Sequence, residues 1–410
     1  MEFLLIEFIA FFRPLASLDY AEGLFDVAAI ILFALAIAAF LMNSALRQKM
    51  SITAIDLAIL GFVVWCVAAY IIYIDRADIR DVAKLLMPIV MFTVVKNIVQ
   101  TEDQYRRMLL WMIAGFGIAT ILSGIRIVTG SGVDYVNFWT ELPRWRGAYA
   151  NAHNLGHSMT LFVMLMVLYL NVNRSRVTRR RAIQERVVVA CLGAFAVYCL
   201  YMSQVRSAIV GLIVFGLVYG LARSRKALVM AGATALVLGA MSFPYWAPAL
   251  LPDVLTGHHT GMDWSKLGSG RTDYWQRNVQ LFSDLPLDQK IAGVGIGNRV
   301  TPNLAKEGDI LDSHNDWLEM MMQTGIVGLA LFGLIQLMIL RAILRLEPRV
   351  RYFYLAMFAA VSAMMFISNS YAWRIQVAYP YYMLIAYIEL RRQEHVAATA
   401  RTASAFARPA

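Results

Sequence analysis

Charged residues are scarce in this sequence: they make up 16% of its 410 residues, whereas 60% are hydrophobic. A soluble globular domain is usually about a quarter charged and close to half apolar. The mean hydropathy is +0.59, and the apolar runs are continuous, which favours membrane-spanning helices over the alternating strands of a transmembrane barrel. The sequence therefore predicts an all-α polytopic membrane protein.

Signatures of redox and nucleotide chemistry are also missing. The three cysteines, Cys66, Cys191 and Cys199, lie inside apolar runs and are expected to be small buried hydrophobic side chains, without a disulfide framework or zinc spacing. The sequence has no Walker loop and no Rossmann glycine fingerprint. It therefore predicts no cofactor, and neither ATP nor a nicotinamide is expected.

Acidic residues are rare inside the apolar runs, since Asp56 and Asp81 lie at or near the ends of predicted spans. A proton- or sodium-coupled carrier normally places carboxylates or broken helices at the membrane midplane. This pattern weighs against a secondary transporter.

The apolar runs predict about 11–12 transmembrane helices. Residues 2–20, interrupted by Arg13-Pro14, form either a short twelfth span or an interfacial helix. The other predicted spans are 26–45, 55–74, 82–99, 108–129, 155–172, 187–203, 207–222, 227–243, 325–345, 352–370 and 375–390.

The formal net charge of +10 comes from basic residues that collect in alternate loops, most densely at Arg179-Arg180-Arg181. The positive-inside rule places these loops in the cytoplasm.

Residues 1–410 are predicted to form a single transmembrane domain, in which 244–324 is one large periplasmic loop that caps the bundle. The small-residue-rich tail, 397–410, is expected to be disordered in the cytoplasm. The remaining predicted outside segments are 75–81, 130–154, 204–206 and 371–374.

Outside loops should be poor in arginine, so each arginine there needs a reason. Arg206 lies in a nearly loopless join between two predicted spans, where it either serves a function or snorkels to lipid phosphates. Arg271 follows Gly268-Ser269-Gly270; glycines let the backbone approach a ligand, and arginine binds phosphate bidentately. The alternative is a turn before a surface helix, with Arg271 paired to Asp273.

His314 is the candidate for proton transfer, since histidine is the side chain best suited to it near neutral pH. Ser313 or Asp312 is expected to cap the helix that follows and to hold His314 on its first turn. Asp312 or Asp316 would orient the imidazole. The alternative is a structural helix cap with His314 exposed.

A fourth polar group precedes the span at 155–172. Arg144, Arg146 and Asn154 could line a polar cavity there. His153 and His157 have the i,i+4 spacing that metals can use, but no third ligand lies nearby in sequence. No metal site is predicted.

Together these residues resemble the O-antigen ligase and O-antigen polymerase superfamily of bacterial envelope glycosyltransferases. The motifs that carry the resemblance are Arg206-Ser207-Ala208 through Gly211; Gly270-Arg271 with Trp275; Ser313-His314-Asn315 with Leu318-Glu319, Gly325 and Gly328; and, departing from the usual asparagine-proline-asparagine, Arg146-Gly147 with Asn151 and Asn154.

The resemblance implies a GT-C-type membrane glycosyltransferase that is metal-independent and takes a polyprenyl-diphosphate-linked glycan as donor. Arg206 and Arg271 would bind the diphosphate and stabilise the charge that develops as the glycosidic bond breaks. His314 would accept or orient the proton of the acceptor hydroxyl, and the anomeric centre would be inverted. Further substrate-binding residues would be Arg144, Arg146, Asn154 and Asn315.

Three functions remain open at this point. The preferred one is O-antigen ligation to lipid A-core, by a multi-pass protein of the bacterial inner membrane whose active site faces the periplasm. The first alternative is a polymerase of O-antigen or exopolysaccharide, whose acceptor is a second lipid-linked glycan. The more distant alternative is a transporter or flippase of a lipid-linked glycan. The expected partners also include membrane lipids and exclude nucleic acid.

Overall fold

A computed structural model gives a bundle of helices with one small two-stranded sheet in the part of the chain that it describes. The described residues are 2–19, most of 31–41, 51–136 except 76, 143–172, 179–223, scattered positions from 229 to 240, 271–297, 313–369 and 374–392.

The elements of the bundle are, in chain order, α1 Glu2–Leu15, α2 Ala54–Ile72, α3 Ile79–Ile98, α4 Glu102–Val128, β1 Val133–Val136, β2 Pro143–Trp145, α5 Ala152–Val172, α6 Arg179–Ser203, α7 Arg206–Arg223, α8 Arg271–Asp284, α9 Leu287–Ala292, α10 Asp316–Leu344, α11 Pro348–Ile367 and α12 Ile375–Ile385.

Six helices are long and apolar enough to cross a membrane, judged by length and composition. They are α2, α4, α5, α10, the Ile183–Ser203 part of α6 and the Val350–Ile367 part of α11. Nine of the eleven predicted spans coincide with helices, whereas 26–45 and 227–243 fall largely outside the described residues. The prediction of an all-α polytopic membrane protein is confirmed.

The first helix runs beside α4 in the same direction. Glu7 forms an ion pair of 2.8 Å with Arg107, and beyond the helix end Asp19 lies 3.5 Å from Arg126. Arg107 and Arg126 are separated by roughly 28 Å along a helix axis, close to the thickness of a bilayer's hydrocarbon core of about 30 Å. Residues 7–19 therefore lie alongside α4, and the short span and the interfacial helix both stay predictions.

The helix α10 is broken at Gly325, whose φ of 70° and ψ of −174° are not helical. Only glycine adopts this conformation readily, and a Cβ here would also collide with the backbone carbonyl of Ile291 at the end of α9. The carbonyls released by the break are used elsewhere: Val294 N donates to Met322 O at 2.9 Å, and Trp65 Nε1 donates to Thr324 O at 2.9 Å. The predicted span at 325–345 thus begins at the break.

The large loop predicted at 244–324 is described only in part. Its described residues include α8, α9, the segment around His314 and the first turns of α10, and α9 packs on α10 around the break at Gly325. The periplasmic placement of this loop stays a prediction, and the tail 397–410 lies outside the described residues.

Ion pairs join elements at the end of the bundle where α4 begins. Arg391 Nη2 lies 2.7 Å from Glu102 Oε1, and the Lys96 ammonium pairs with the buried Asp56 carboxylate. The predicted functional residues lie at the other end, which we call the site end: the end where α5, α7 and α12 begin and α6 and α11 finish.

Candidate active site

The strand β2 carries Arg144 into the bundle at the site end. This side chain is buried, and its Nε donates to Ser203 O, the last residue of α6, at 3.0 Å. It also donates to the hydroxyl of Tyr135 on β1, and its Nη2 lies 3.2 Å from His153 Nε2. Because a guanidinium can only donate, His153 Nε2 is the acceptor, and hydrogen bonding assigns the proton of the neutral ring to Nδ1.

Arg206 is held at the first position of α7 by a very short connection. Only Gln204 and Val205 separate α6 from α7, and Gln204 adopts a φ of 54°. The Gln204 amide donates to Pro143 O at 2.9 Å, which ties the connection to β2. The next residue, Ser207, places its Oγ 2.9 Å from Nε2 of the fully buried His157. Arg206 and Arg144 are close enough for their charges to repel.

Arg271 is the first described residue of α8. Its guanidinium donates to the carbonyl of Ile367, the last residue of α11. One turn later, Trp275 Nε1 donates to Ser313 O at 2.9 Å, and its ring packs edge-on against Phe366 with 5.4 Å between centroids. The helix α8 therefore joins the end of α11 to the segment that contains His314.

The sequence-based prediction of the helix cap beside His314 was wrong. Asn315 is the cap: its Oδ1 accepts from Trp317 N at 2.9 Å and from Leu318 N at 3.2 Å. Ser313 is instead buried, with its Oγ 2.9 Å from Glu319 Oε2. Asp312, the other predicted cap, lies outside the described residues.

His314 therefore precedes α10 rather than occupying its first turn. It is half-buried and has a φ of 47°, in the left-handed region that costs a non-glycine residue about 1–2 kcal/mol. Such strain persists only where the surroundings impose it, and it is common at functional sites. The buried Ser313 and the capping Asn315 impose it here.

Arg374 is a functional candidate that the sequence analysis missed. Its Nε donates to Asn369 O at 2.7 Å, and its Nη1 reaches Asn151 Oδ1 at 3.4 Å and the Asn154 side-chain oxygen. The signal that singled out Arg206 and Arg271, an arginine in a predicted outside loop, applied equally to this residue in segment 371–374.

The positive charges of these elements meet at the two histidines of α5. Arg374, Arg144 and Arg271 all act electrostatically on His153 and on His157. Arg206 interacts electrostatically with Arg144 in turn. Three arginines, from β2, α8 and the start of α12, thus act on one pair of histidines, a fourth acts on Arg144, and the site end carries a concentrated positive potential.

Helix dipoles add to this potential. Arg206 is the first residue of α7, and Arg374 is the N-cap of α12. A cation at a helix N-terminus faces the positive end of the dipole, which costs about 0.3–1 kcal/mol for each one. Backbone N–H groups at the same ends favour an anion. The arrangement therefore suits a ligand that carries concentrated negative charge, such as phosphate.

Arg146 has a different environment from the other predicted arginines. Its Nη1 lies 3.3 Å from Asp19 Oδ1 and donates to Ala150 O at 3.3 Å. Asp19 also pairs with Arg126, so Arg146 helps to fasten the end of the α1 segment to the loop before α5. Its role in substrate binding stays a prediction.

No group of three or more histidine, cysteine, aspartate or glutamate side chains suited to a metal occurs among the described residues. His153 and His157 lie with their ring centroids 6.1 Å apart. The Nε2 atom of His153 contacts the Arg144 guanidinium, and the Nε2 atom of His157 contacts the Ser207 hydroxyl.

The bundle defines a multi-pass membrane protein, and the charge of its arginine-rich end is suited to an anionic ligand. A family model described as O-antigen ligase matches residues 189–333. The match supports the O-antigen ligase superfamily for this chain and confirms the resemblance that the motifs indicated. It supports an enzyme of the O-antigen ligase/polymerase type, a membrane glycosyltransferase, and the family implies a lipid-linked glycan and lipid A-core as substrates in general. No curated protein matches the chain.

The matched stretch contains Arg206, Arg271 and His314, whereas Arg144 and Arg374 lie outside it. Only the fold brings those last two residues to the same histidines as the matched Arg271.

Proposed function

We propose that the protein transfers a glycan from a polyprenyl-diphosphate donor, with undecaprenyl as the carrier, to a sugar hydroxyl of lipid A-core on the periplasmic side of the inner membrane. The observation that carries the proposal is the gathering of four arginines at one end of an apolar bundle, two of them, Arg206 and Arg374, at helix N-termini. A diphosphate leaving group needs positive charge to bind and stabilise it, and a polyprenyl carrier needs a protein that is embedded in the membrane.

In the proposed reaction, the bond between the anomeric carbon and the diphosphate oxygen breaks, and the diphosphate leaves with the electron pair. Arg206 and Arg271 bind that group and stabilise the negative charge that grows on it. The acceptor hydroxyl attacks from the opposite face, which inverts the anomeric centre. Its proton passes to the imidazole of His314, and no metal ion takes part.

The position of His314 supports this assignment. Trp275, one turn from Arg271, donates to the carbonyl of Ser313, so the segment next to His314 is anchored to the helix that begins with Arg271. The strained backbone at His314 is held from both sides, and a general base gains from such fixed placement.

The proposal is tested by transfer in vitro with the purified full chain. The donor is an undecaprenyl-diphosphate glycan, and two acceptors are offered in parallel: lipid A-core and a second lipid-linked repeat. Native protein is compared with His314→Ala and with His395→Ala, a histidine that belongs to none of the motifs.

Product on lipid A-core that is lost in His314→Ala and kept in His395→Ala is the expected result. A ladder on the lipid carrier would instead establish the polymerase. Absence of product from both acceptors, with a competent donor and folded protein, would contradict both transfer reactions and favour a transporter of the lipid-linked glycan.

A further inference from the structure

We propose that His153 is a further binding residue for the substrate's diphosphate, and that its Nδ1–H group donates a hydrogen bond to a phosphate oxygen. Arg144 selects this position of the ring proton by binding the other ring nitrogen. The identity of the ligand rests on the proposed function, whereas the position of the proton and the burial of the donor follow from the contacts of His153 itself.

The ring of His153 is bound at one nitrogen by a group that can only donate. Arg144 Nη2 lies 3.2 Å from His153 Nε2, and a guanidinium has no acceptor, so Nε2 contributes its lone pair. A ring that accepts at Nε2 is neutral, and its one N–H is at Nδ1. Arg144 is itself held by Ser203 O at 3.0 Å and by the Tyr135 hydroxyl, so the group that selects the tautomer is fixed in place.

The donor at Nδ1 is the part of this ring that the protein leaves unused. The Nδ1 atom is buried, and among the described residues no acceptor lies within hydrogen-bonding distance of it. Buried polar groups nearly always have a partner, because a buried donor without one has lost its hydration and gained nothing in exchange. An acceptor atom that arrives with a ligand would satisfy this donor.

The charges around His153 specify which acceptor would fit. Arg374, Arg144 and Arg271 all act electrostatically on this ring. A positive field attracts an anionic oxygen, and a hydrogen bond to an anionic oxygen is stronger than one to a neutral carbonyl or hydroxyl. Arg271 lies in the stretch that matches O-antigen ligase and is one of the two residues to which the proposed function assigns the diphosphate. His153 therefore lies within the field of the same binding group.

A neutral donor is also the kind of group that this position accommodates. Another cation beside three arginines would be destabilised by like-charge repulsion. Because His153 accepts from Arg144, it stays neutral and still offers one N–H to an anion. Neutral imidazoles act in this way in other enzymes, where they donate to an oxygen that gains negative charge.

The competing explanation is that His153 only holds Arg144 in place. Two amide substitutions separate the roles, because each replaces one ring nitrogen. The amide of asparagine reaches the position of Nδ1 and can donate there, but it is too short to reach Arg144. The longer glutamine reaches the position of Nε2 and can accept from Arg144, but it places no donor at the position of Nδ1.

The experiment measures binding of farnesyl diphosphate, a short polyprenyl diphosphate, to the purified full chain in detergent by isothermal titration. The variants are His153→Asn and His153→Gln, and the control is His395→Asn, which replaces a histidine that belongs to none of the motifs. Thermal unfolding of each variant is recorded alongside. In the native chain, the nitrogen NMR signals of His153 are identified by their absence from His153→Asn, and they report which ring nitrogen carries the proton.

We expect Kd to rise by about 10- to 100-fold in His153→Gln and to stay close to the native value in His153→Asn and His395→Asn. The NMR signals should show a protonated Nδ1 that shifts when farnesyl diphosphate is added. The reverse order of affinities would make His153 a support for Arg144 and overturn the proposal. Equal losses in both His153 variants, unchanged affinity in both, a proton on Nε2, or a native chain that does not bind would also overturn it.

The outcome for His153 can be separated from the outcome for the proposed function. If binding behaves as expected while the native chain transfers no glycan, the assignment of His153 stands and the proposed function fails. If the native chain transfers glycan while His153→Gln binds farnesyl diphosphate as tightly as the native protein, the proposed function stands and the assignment of His153 fails.

Discussion

Replacing Arg271 by lysine keeps the positive charge and removes the planar fork. A lysine ammonium is a compact point charge and cannot reproduce a bidentate contact to phosphate. In the structure the guanidinium also donates to Ile367 O at the end of α11, which fixes its direction. The Arg271→Lys protein should therefore fold and still lose most of its transfer activity.

The size of the effect follows from the number of bonds that change. A hydrogen bond to a charged group contributes about 1.5–3 kcal/mol, and lysine forfeits one such bond to the diphosphate. Since 1.4 kcal/mol corresponds to about a tenfold change, kcat/KM should fall by roughly 10- to 150-fold.

The assay is glycan transfer by purified protein at limiting donor concentration, and Arg277→Lys is the matched control. Arg277 lies on the same helix as Arg271, and its side chain is exposed, so its replacement should leave kcat/KM unchanged. Native activity in Arg271→Lys would remove this residue from the diphosphate site. An equal loss in both variants would point to a general sensitivity of α8.

Three further substitutions test other parts of the structure. His314→Ala should leave the amount of membrane-inserted protein unchanged while transfer falls by about 10²- to 10⁴-fold; its disappearance from membranes would make the residue structural. Gly325→Ala should destabilise the protein by about 1–3 kcal/mol, read as a lower unfolding temperature, because a Cβ meets the carbonyl of Ile291; an unchanged temperature would contradict the helix break. Asn315→Ala should lower the free energy of unfolding by about 1 kcal/mol, because the helix cap is lost. If Ser313 were the cap instead, Ser313→Ala would give that loss and Asn315→Ala would not.

The helices and the matched arginines could be predicted because their signals are local. A continuous apolar run specifies a spanning helix wherever it occurs, since a backbone in lipid must satisfy its own hydrogen bonds. Outside loops are expected to contain few arginines, so an arginine there can be singled out without knowledge of its spatial neighbours. Arg206 and Arg271 were predicted as functional residues on this basis. Gly325 was likewise expected to open a helix, and it marks a break inside α10.

The cap beside His314 could not be predicted from the sequence, since Ser313, Asn315 and Asp312 are all competent. The choice depends on tertiary contacts. Ser313 is buried, with its hydroxyl close to Glu319 and its carbonyl bound by Trp275. Asn315 is then placed to cap the helix, and His314 is left in a left-handed conformation before it.

The sequence by itself determined that this is a helical membrane protein and indicated its resemblance to the O-antigen ligase superfamily, because hydrophobic runs and short motifs are properties of neighbouring residues. Only the tertiary structure decided that Arg374 meets Asn154 and that His157 meets Ser207. These partners are 220 and 50 residues apart in the chain. Contacts at such separations depend on which helices pack together, and no local pattern specifies that.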